Sequence, residues 1–246
     1  AHYLMLSGYI NYRITGDFRD SIANQVGYIP FDYKGLRWPK KGHWRWDILK
    51  VKPETLPELV EPGSLIGHLT EAAAMQFHLP AGLPVIAGAS DKACEVLGSG
   101  CLDPNQACIG FGTTATINVN SRKYLEPLTL IPPYPSAESG AYNLEIQTFR
   151  GFWMVTWFKE QFAYLESRTA EEKGVSAEEL LENLASEVPP GSLGLTLQPF
   201  WSPGLRYPGP EAKGSIIGFG SVHHKHHIYR ALLEGLVYAK RHGMER

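Results

Sequence analysis

Cysteine is scarce in this chain of 246 residues, which has three in all, at Cys94, Cys101 and Cys108. An odd and sparse set argues against a framework of disulfide bonds. Their seven-residue spacing also differs from the Cys-x-x-Cys pattern that is typical of zinc sites. We therefore interpret all three as small, buried, apolar side chains of a protein that works in a reducing cytoplasm.

Long apolar runs and an excess of one charge are absent too. No apolar stretch approaches the roughly 20 residues that a membrane-spanning helix needs, and the formal net charge is −2. We therefore expect no membrane insertion and no broad surface for nucleic acid. The chain also begins without Met or a basic leader, and its last residues still follow a helical pattern. From this we expect both ends to be internal to a longer protein.

An aromatic segment, residues 28–53, interleaves tyrosine, phenylalanine and tryptophan with lysine and arginine. A stacking surface for single-stranded nucleic acid has this kind of composition. The aromatic residues follow no regular period, however, and glycine and proline interrupt them. Packing of the rings along a surface excursion is therefore the favoured interpretation.

Local patterns predict an alternation of strands and helices. Thr70 is placed as an N-cap before a helix that begins at Glu71, because its hydroxyl can accept a first-turn amide. The other predictions are strands at 65–70, 85–89 and 195–200, two β runs around a turn at 107–119, a helix or a strand leading into one at 152–165, and helices at 171–188 and 229–238. Such a mixture is typical of an α/β protein.

Asp91 follows the apolar strand at 85–89 and comes directly after three small residues, 88–90. Small residues let a ligand approach the backbone closely. A carboxylate placed there can accept a proton from a hydroxyl group that attacks a phosphorus atom. The alternative is a carboxylate that caps a helix starting at Lys92. Taken alone, the pattern favours the cap.

The turn Gly112-Thr113-Thr114 offers backbone amides and two hydroxyl groups. Such a turn can hold phosphate oxygens in a backbone nest. It lacks the spacing and the lysine of a P-loop. On its own, the turn therefore indicates no more than a connection between two strands.

Two further polar segments have competing interpretations. The histidines within 223–227 suggest a metal-binding module, but they are adjacent in sequence, and the fold would have to bring in a carboxylate or a cysteine. A polar loop before a helix, with His227 near the cap, is the favoured interpretation, and we assign no metal ligand. Arg206, in a proline-rich loop, either pairs with an anion or clamps that loop.

The order of these pieces is more informative than any one of them. Asp91, the Gly-Thr-Thr turn at 112–114, Arg206-x-Pro and Gly214-Ser-Ile-Ile-Gly precede a helix that carries Arg230-Ala-Leu-Leu-Glu-Gly. In this order they resemble the FGGY carbohydrate kinases, a family that includes xylulose and glycerol kinases. The resemblance covers essentially the whole chain.

This resemblance implies an α/β protein with part of an actin/Hsp70-like ATPase fold, which is built from two ribonuclease-H-like domains. Residues 1–104 would form the C-terminal part of the sugar-binding N-domain. Residues 105–246 would form the N-terminal and central part of the nucleotide-binding C-domain. The implied function is ATP-dependent phosphorylation of a hydroxyl group on a sugar or polyol, with Mg²⁺ as the second cofactor.

The resemblance also implies roles for individual residues. Asp91 corresponds to the catalytic base of the family. Gly112, Thr113 and Thr114 correspond to the turn that holds the phosphates of the nucleotide, and Gly151 corresponds to a further glycine that contacts the nucleotide.

Lys92 departs from the family pattern, which usually has Asn or Gln at this position in contact with the substrate. We therefore expect Lys92 to bind the substrate, and a lysine suits a sugar with a carboxylate or extra hydroxyl groups. The family's Asp-x-Gly-Thr phosphate loop and Gly-Gly adenine site are absent from the sequence, so we expect no ATP turnover by the chain alone. A non-catalytic relative that senses sugar or nucleotide is the alternative, and a homodimer is left open.

Overall fold

A computed structural model describes residues 2–27, 30–128, 130–202 and 209–245. The chain divides into two compact units. Unit 1 comprises Ala1–Cys108 and Asn118–Glu145, and unit 2 comprises Ile109–Ile117 and Ile146–Arg246. Arg206 lies outside the described residues.

The chain contains both helices and strands, as the sequence patterns predict, with four consecutive strands and then three consecutive helices in its middle part. The helices are α1 (Leu6–Thr15), α2 (Arg45–Leu49), α3 (Glu71–Phe77), α4 (Asp91–Gly98), α5 (Trp153–Phe162), α6 (Tyr164–Lys173), α7 (Ala177–Ser186) and α8 (Lys225–Met244). The strands are β1 (Arg19–Ser21), β2 (Glu58–Val60), β3 (Leu65–His68), β4 (Pro84–Ile86), β5 (Cys108–Phe111), β6 (Ala115–Ser121), β7 (Tyr134–Pro135), β8 (Tyr142–Thr148), β9 (Thr196–Gln198) and β10 (Ser215–Ile217). Short 3₁₀ turns occur at Ile22–Asn24, Pro53–Thr55 and Ser192–Gly194.

The strands pair mostly in small sheets. β1 pairs with β2 in parallel, whereas β3 with β4 and β9 with β10 pair antiparallel. A four-stranded sheet has the order β5-β6-β8-β7. No helix of the described part is long and apolar enough to cross a membrane.

The aromatic segment of unit 1 forms a packed cluster. Phe31 and Tyr33 are buried, and Phe31 meets Trp38 edge to face with 5.7 Å between the ring centroids. Trp38 also donates a hydrogen bond from its indole nitrogen to the carbonyl of Pro57, at 2.8 Å. The interpretation of this segment as packed rings is therefore confirmed for these residues, although Trp44 remains exposed.

Thr70 caps α3 as its sequence position predicts. The hydroxyl oxygen accepts a hydrogen bond from the amide of Ala73 at 3.3 Å. This satisfies one of the amides that the first turn of a helix leaves without a partner. The helix ends at His78, whose φ of 56° is left-handed.

The core of unit 2 lies among α5, α7, α8 and β9. Its most enclosed large side chains are Met154, Phe158, Leu181, Leu195, Leu197, Tyr229, Leu232 and Leu236. Burying each of them contributes about 1.5–3 kcal/mol to folding. Gly235 lets α8 cross β9 closely, because a Cβ there would lie 2.2 Å from the carbonyl oxygen of Leu197.

The single helix predicted over 171–188 is wrong. Its first residues belong to α6, which ends at Gly174 with a φ of 67°. A glycine in this left-handed conformation stops a helix. Ser176 then starts α7 by accepting a hydrogen bond from the amide of Glu179 at 3.1 Å. The apolar spacing is real, but a stop and a start signal lie inside it.

The cysteines are free, and the prediction that all three are buried is confirmed only for Cys101. Cys101 is buried and Cys108 is half-buried, whereas Cys94 is exposed. Helix α4 turns Ala93 and Val96 inward, and this places Cys94 on its outer side. Burial raises the pKa of the Cys101 thiol above its ordinary value.

Candidate functional site

Asp91 is the first residue of α4, at the end of the loop that follows β4. Its side chain is exposed, and Oδ1 accepts a hydrogen bond from the amide of Lys92 at 2.7 Å. The carboxylate thus satisfies an amide of the helix start, where the helix dipole favours negative charge. Part of the capping alternative is therefore correct. No described residue hydrogen-bonds Oδ2, so the capping role leaves one oxygen facing solvent.

The loop before Asp91 is tied to a distant segment of unit 1. The hydroxyl group of Ser21 donates a hydrogen bond to the carbonyl of Gly88 at 2.6 Å. The amide of Ser90 donates to the carbonyl of Ala23 at 2.9 Å. These two bonds hold both ends of the three small residues that precede the candidate base. No local sequence pattern marks Ser21 or Ala23 as partners of this loop, because both bonds join segments far apart in the chain.

Lys92, the predicted substrate-binding residue, is half-buried and already carries an ion pair. Its ammonium lies 2.6 Å from Oε2 of Glu95, one turn along α4. The hydrogen bond to Glu95 raises the pKa of Lys92 above its ordinary value, against a smaller opposing effect of burial, and the charges of Glu95, Glu145 and Asp91 act in the same direction as the bond. Lys92 therefore stays protonated and presents a donor beside an acceptor.

The turn Gly112-Thr113-Thr114 joins β5 to β6, as the sequence predicts. Gly112 and Thr113 are exposed, and Thr114 is half-buried. The side chain of Phe111, just before the turn, meets Phe152 edge to face at 4.9 Å between ring centroids. The turn therefore lies at the surface of unit 2, next to the contact between Phe111 and Phe152.

Gly151 lies against this turn. The amide of Phe152 donates a hydrogen bond to the carbonyl of Gly112 at 3.0 Å. A Cβ atom at position 151 would lie 2.2 Å from the amide nitrogen of Ala115, so the close approach requires glycine. The structure thus brings together two features that the sequence links only through the family resemblance.

A buried lysine contacts the start of β6, directly after the turn. Lys240 is 4% exposed, and its ammonium donates a hydrogen bond to the carbonyl of Ala115, the first residue of β6. No local sequence pattern predicts this contact. Its only signal is a lysine on an otherwise apolar face of α8.

The histidines of 223–227 form the start of α8. His224 and His227 make a reciprocal capping arrangement, in which Nδ1 of His227 accepts a hydrogen bond from the amide of His224 at 3.1 Å. Nδ1 of His223 accepts from the amide of Gly220 at 2.8 Å. The described residues contain no group of three or more His, Cys, Asp or Glu side chains that could hold a metal ion. The placement of His227 at the helix cap is confirmed.

Comparison with protein families gives two matches that together cover most of the chain. The N-terminal domain of the FGGY family of carbohydrate kinases matches residues 1–98. The C-terminal domain of the same family matches residues 107–246.

Individual relatives agree with this match. The uncharacterized sugar kinase YgcE of Escherichia coli (strain K12) is 35% identical over 96% of the chain and 48% of its own length. A gluconokinase of Bacillus subtilis (strain 168) is 28% identical over 89% of the chain and 42% of its own length. The crystal structure of xylulose kinase from Rhodospirillum rubrum superposes with a TM-score of 0.79 at 25% identity, over 97% of this chain and 46% of that one. The chain therefore spans about half the length of the proteins it matches.

Proposed function

Because the chain belongs to the FGGY family of carbohydrate kinases, we propose that the protein phosphorylates a hydroxyl group of a sugar or polyol with ATP in the cytoplasm. The fold is part of the actin/Hsp70-like ATPase fold of these kinases. The observation that carries the proposal is the placement of Asp91, an exposed carboxylate at a helix start, behind a loop whose backbone is held at both ends.

Asp91 acts in this proposal as the general base. It accepts the proton of the substrate hydroxyl while the oxygen forms a bond to the γ-phosphorus and the bond to the bridging oxygen of ADP breaks. The amide of Lys92 holds Oδ1, which orients the carboxylate and leaves Oδ2 toward solvent. This geometry supports a base whose direction is fixed before the substrate binds.

The turn Gly112-Thr113-Thr114, with Gly151 beside it, is proposed to hold the phosphates of the nucleotide. The exposed backbone of the turn offers amides to anionic oxygens, and glycine at position 151 lets the segment before α5 lie close to Ala115, next to the turn. Mg²⁺ bound with the nucleotide would neutralise phosphate charge during the transfer.

Lys92 and Glu95 are proposed to contact the substrate side of the site. Their ion pair presents an ammonium donor and a carboxylate acceptor together, which suits adjacent hydroxyl groups or a sugar acid. The gluconokinase relative supports the inclusion of sugar acids in this class. The family match supports phosphorylation and gives no support to the alternative of a non-catalytic sensor.

The test is a phosphorylation screen of the full-length protein against ketopentoses, deoxyketoses, polyols and sugar acids, followed by Asp91→Asn on the best substrate. We expect Asp91→Asn to lower kcat by about 10² to 10⁴, the usual worth of a general base, with KM values within a few-fold. Asp47→Asn, which neutralises an exposed aspartate on α2, is the matched control. A kcat for Asp91→Asn within a few-fold of wild type would contradict the assignment. The chain alone, which spans about half the length of its relatives, is expected to turn over no ATP.

A further inference from the structure

Asp20 is a buried carboxylate to which the sequence analysis and the proposed reaction assign no role. It lies on β1, is 1% exposed, and accepts hydrogen bonds from neutral donors. These donors are the hydroxyl of Ser7 at 2.8 Å, the side-chain amides of Asn11 at 3.4 Å, Asn24 at 2.9 Å and Gln25 at 3.2 Å, and the backbone amide of Ser21 at 2.8 Å. A buried carboxylate is tolerated only when its oxygens are satisfied in this way.

The donors come from both sides of β1. Two of them stand on α1, where Gly8 comes so close that a Cβ atom would lie 3.2 Å from Oδ2 of Asp20. The others belong to β1 itself and to the segment at 21–25 that contains the 3₁₀ turn. Asp20 therefore joins α1 to that segment and fixes the conformation of residues 21–25. Fully satisfied buried networks of this kind make the surrounding backbone rigid.

Ser21 and Ala23 join this rigid segment to the loop before Asp91 by hydrogen bonds. Ser21 accepts a hydrogen bond from the amide of Ala23 at 3.1 Å and donates one to the carbonyl of Gly88 at 2.6 Å. Ala23 in turn accepts from the amide of Ser90 at 2.9 Å. All these residues belong to unit 1. One chain of contacts thus runs from a buried carboxylate to the residue that precedes the candidate base.

We propose that Asp20 is a positioning residue for phosphoryl transfer, which sets the direction of the Asp91 carboxylate through Ser21, Ala23 and the loop at 88–90. The inference rests on the proposed function of Asp91. Asp20 touches no reacting atom in this scheme. Its effect on rate arises because a displacement of about 1 Å in a catalytic group can cost on the order of 100-fold.

The experiment uses Ser21→Ala and Asp20→Asn in the full-length protein, with the substrate identified by the phosphorylation screen. Ser21→Ala removes the bond to Gly88 and leaves the Asp20 carboxylate in place. We expect it to lower kcat about 10-fold, and Asp20→Asn to lower kcat by about 10- to 100-fold, with KM for ATP within about two-fold for both. Hydrogen exchange at the amide of Ser90 should be faster than in wild type in both variants, because its acceptor, Ala23, is no longer held.

Two controls separate positioning from general loss of structure. Thr55→Ala removes an exposed hydroxyl-to-carbonyl bond of 2.7 Å to Lys52, and Asp47→Asn removes an exposed negative charge. Both should keep wild-type kcat and wild-type exchange at Ser90. If Asp20→Asn does not fold, Ser21→Ala decides the question alone.

The inference is overturned if folded Ser21→Ala and Asp20→Asn keep kcat within two-fold of wild type, or if exchange at Ser90 is unchanged. Its failure differs from failure of the proposed function. If only this inference fails, Asp91→Asn still lowers kcat strongly, while Ser21→Ala and Asp20→Asn leave kcat unchanged. If the proposed function fails, Asp91→Asn keeps wild-type kcat, or the wild-type protein phosphorylates no sugar or polyol. This inference then fails together with the proposed function.

Discussion

The loop before Asp91, in unit 1, and the turn at 112–114, in unit 2, differ in what holds their backbones. The loop is held by two hydrogen bonds to segments more than 60 positions away along the chain: the hydroxyl of Ser21 donates to the carbonyl of Gly88, and the amide of Ser90 donates to the carbonyl of Ala23. The turn is held by close packing against Gly151 and by Lys240, which is 125 positions from its acceptor. One of the two loop bonds therefore depends on a side-chain hydroxyl, that of Ser21, which a single substitution removes. The turn depends in addition on close packing, which a single methyl group at position 151 would disturb.

The largest expected difference between the two regions is the loss in the free energy of unfolding when a glycine of each is replaced by alanine. Gly151→Ala should lower the free energy of unfolding by about 3 kcal/mol, because the new methyl group would overlap the backbone of Ala115 and force the chain to move. Gly88→Ala should stay within about 0.5 kcal/mol of wild type, since nothing lies within 4 Å of a Cβ at that position. Urea denaturation of both variants measures the difference. Equal losses would mean that packing does not distinguish the two regions.

The buried lysine of unit 2 tests how much a polar contact contributes to the stability of the region around the turn. Lys240→Met keeps an unbranched side chain that is one atom shorter, and it leaves the carbonyl of Ala115 without this donor. We expect a loss of about 2 kcal/mol in the free energy of unfolding, the usual cost of an unsatisfied buried group. Arg241→Met is the neighbouring control, because the Arg241 side chain is exposed and its ion pair with Glu245 is worth less than about 1 kcal/mol. A smaller loss for Lys240→Met than for the control would show that packing alone holds the turn.

The smallest expected effect is a pH dependence confined to unit 2. Burial, followed by the charges of neighbouring histidines, lowers the pKa of His227 below its ordinary value. Because the unfolded chain then binds the proton more tightly, the free energy of unfolding should rise with pH up to about 6.5, the ordinary value for histidine. The total change in the free energy of unfolding over this pH range should be a fraction of the contribution of a helix cap, which is about 1 kcal/mol.

The variant His227→Gln isolates this effect. Glutamine at this position keeps an acceptor for the amide of His224 but does not titrate. Denaturation at pH 5 and pH 7.5 should show a flatter dependence in the variant than in wild type. An unchanged slope would place the pH dependence on other groups.

What the sequence could predict depends on how local the signal is. Thr70 and the turn at 112–114 were predictable because a cap and a strand–turn–strand pattern lie within a few residues of one another. The single helix predicted over 171–188 is wrong because its apolar period continues across two local signals: Gly174 stops one helix, and Ser176 starts the next.

The contacts that hold the candidate site were not predictable from local patterns. The bonds from Ser21 to Gly88 and from Lys240 to Ala115 join segments far apart in sequence, and no periodicity marks such partners. Asp91 could be singled out only through the order of distant motifs. The fold class followed from the same order, and the family match confirmed it.

The exposed thiol of Cys94 makes the neighbourhood of Asp91 accessible to chemistry from outside. It stands three residues after Asp91 on α4, and its Sγ lies 3.5 Å from the carbonyl of Ala89, within the loop that precedes the candidate base. Cys101 is buried and Cys108 half-buried, so a maleimide dye reacts first at Cys94 without any engineered cysteine. If Asp91 is the base as proposed, fluorescence from that dye should respond to binding of the sugar or polyol, independently of ADP formation.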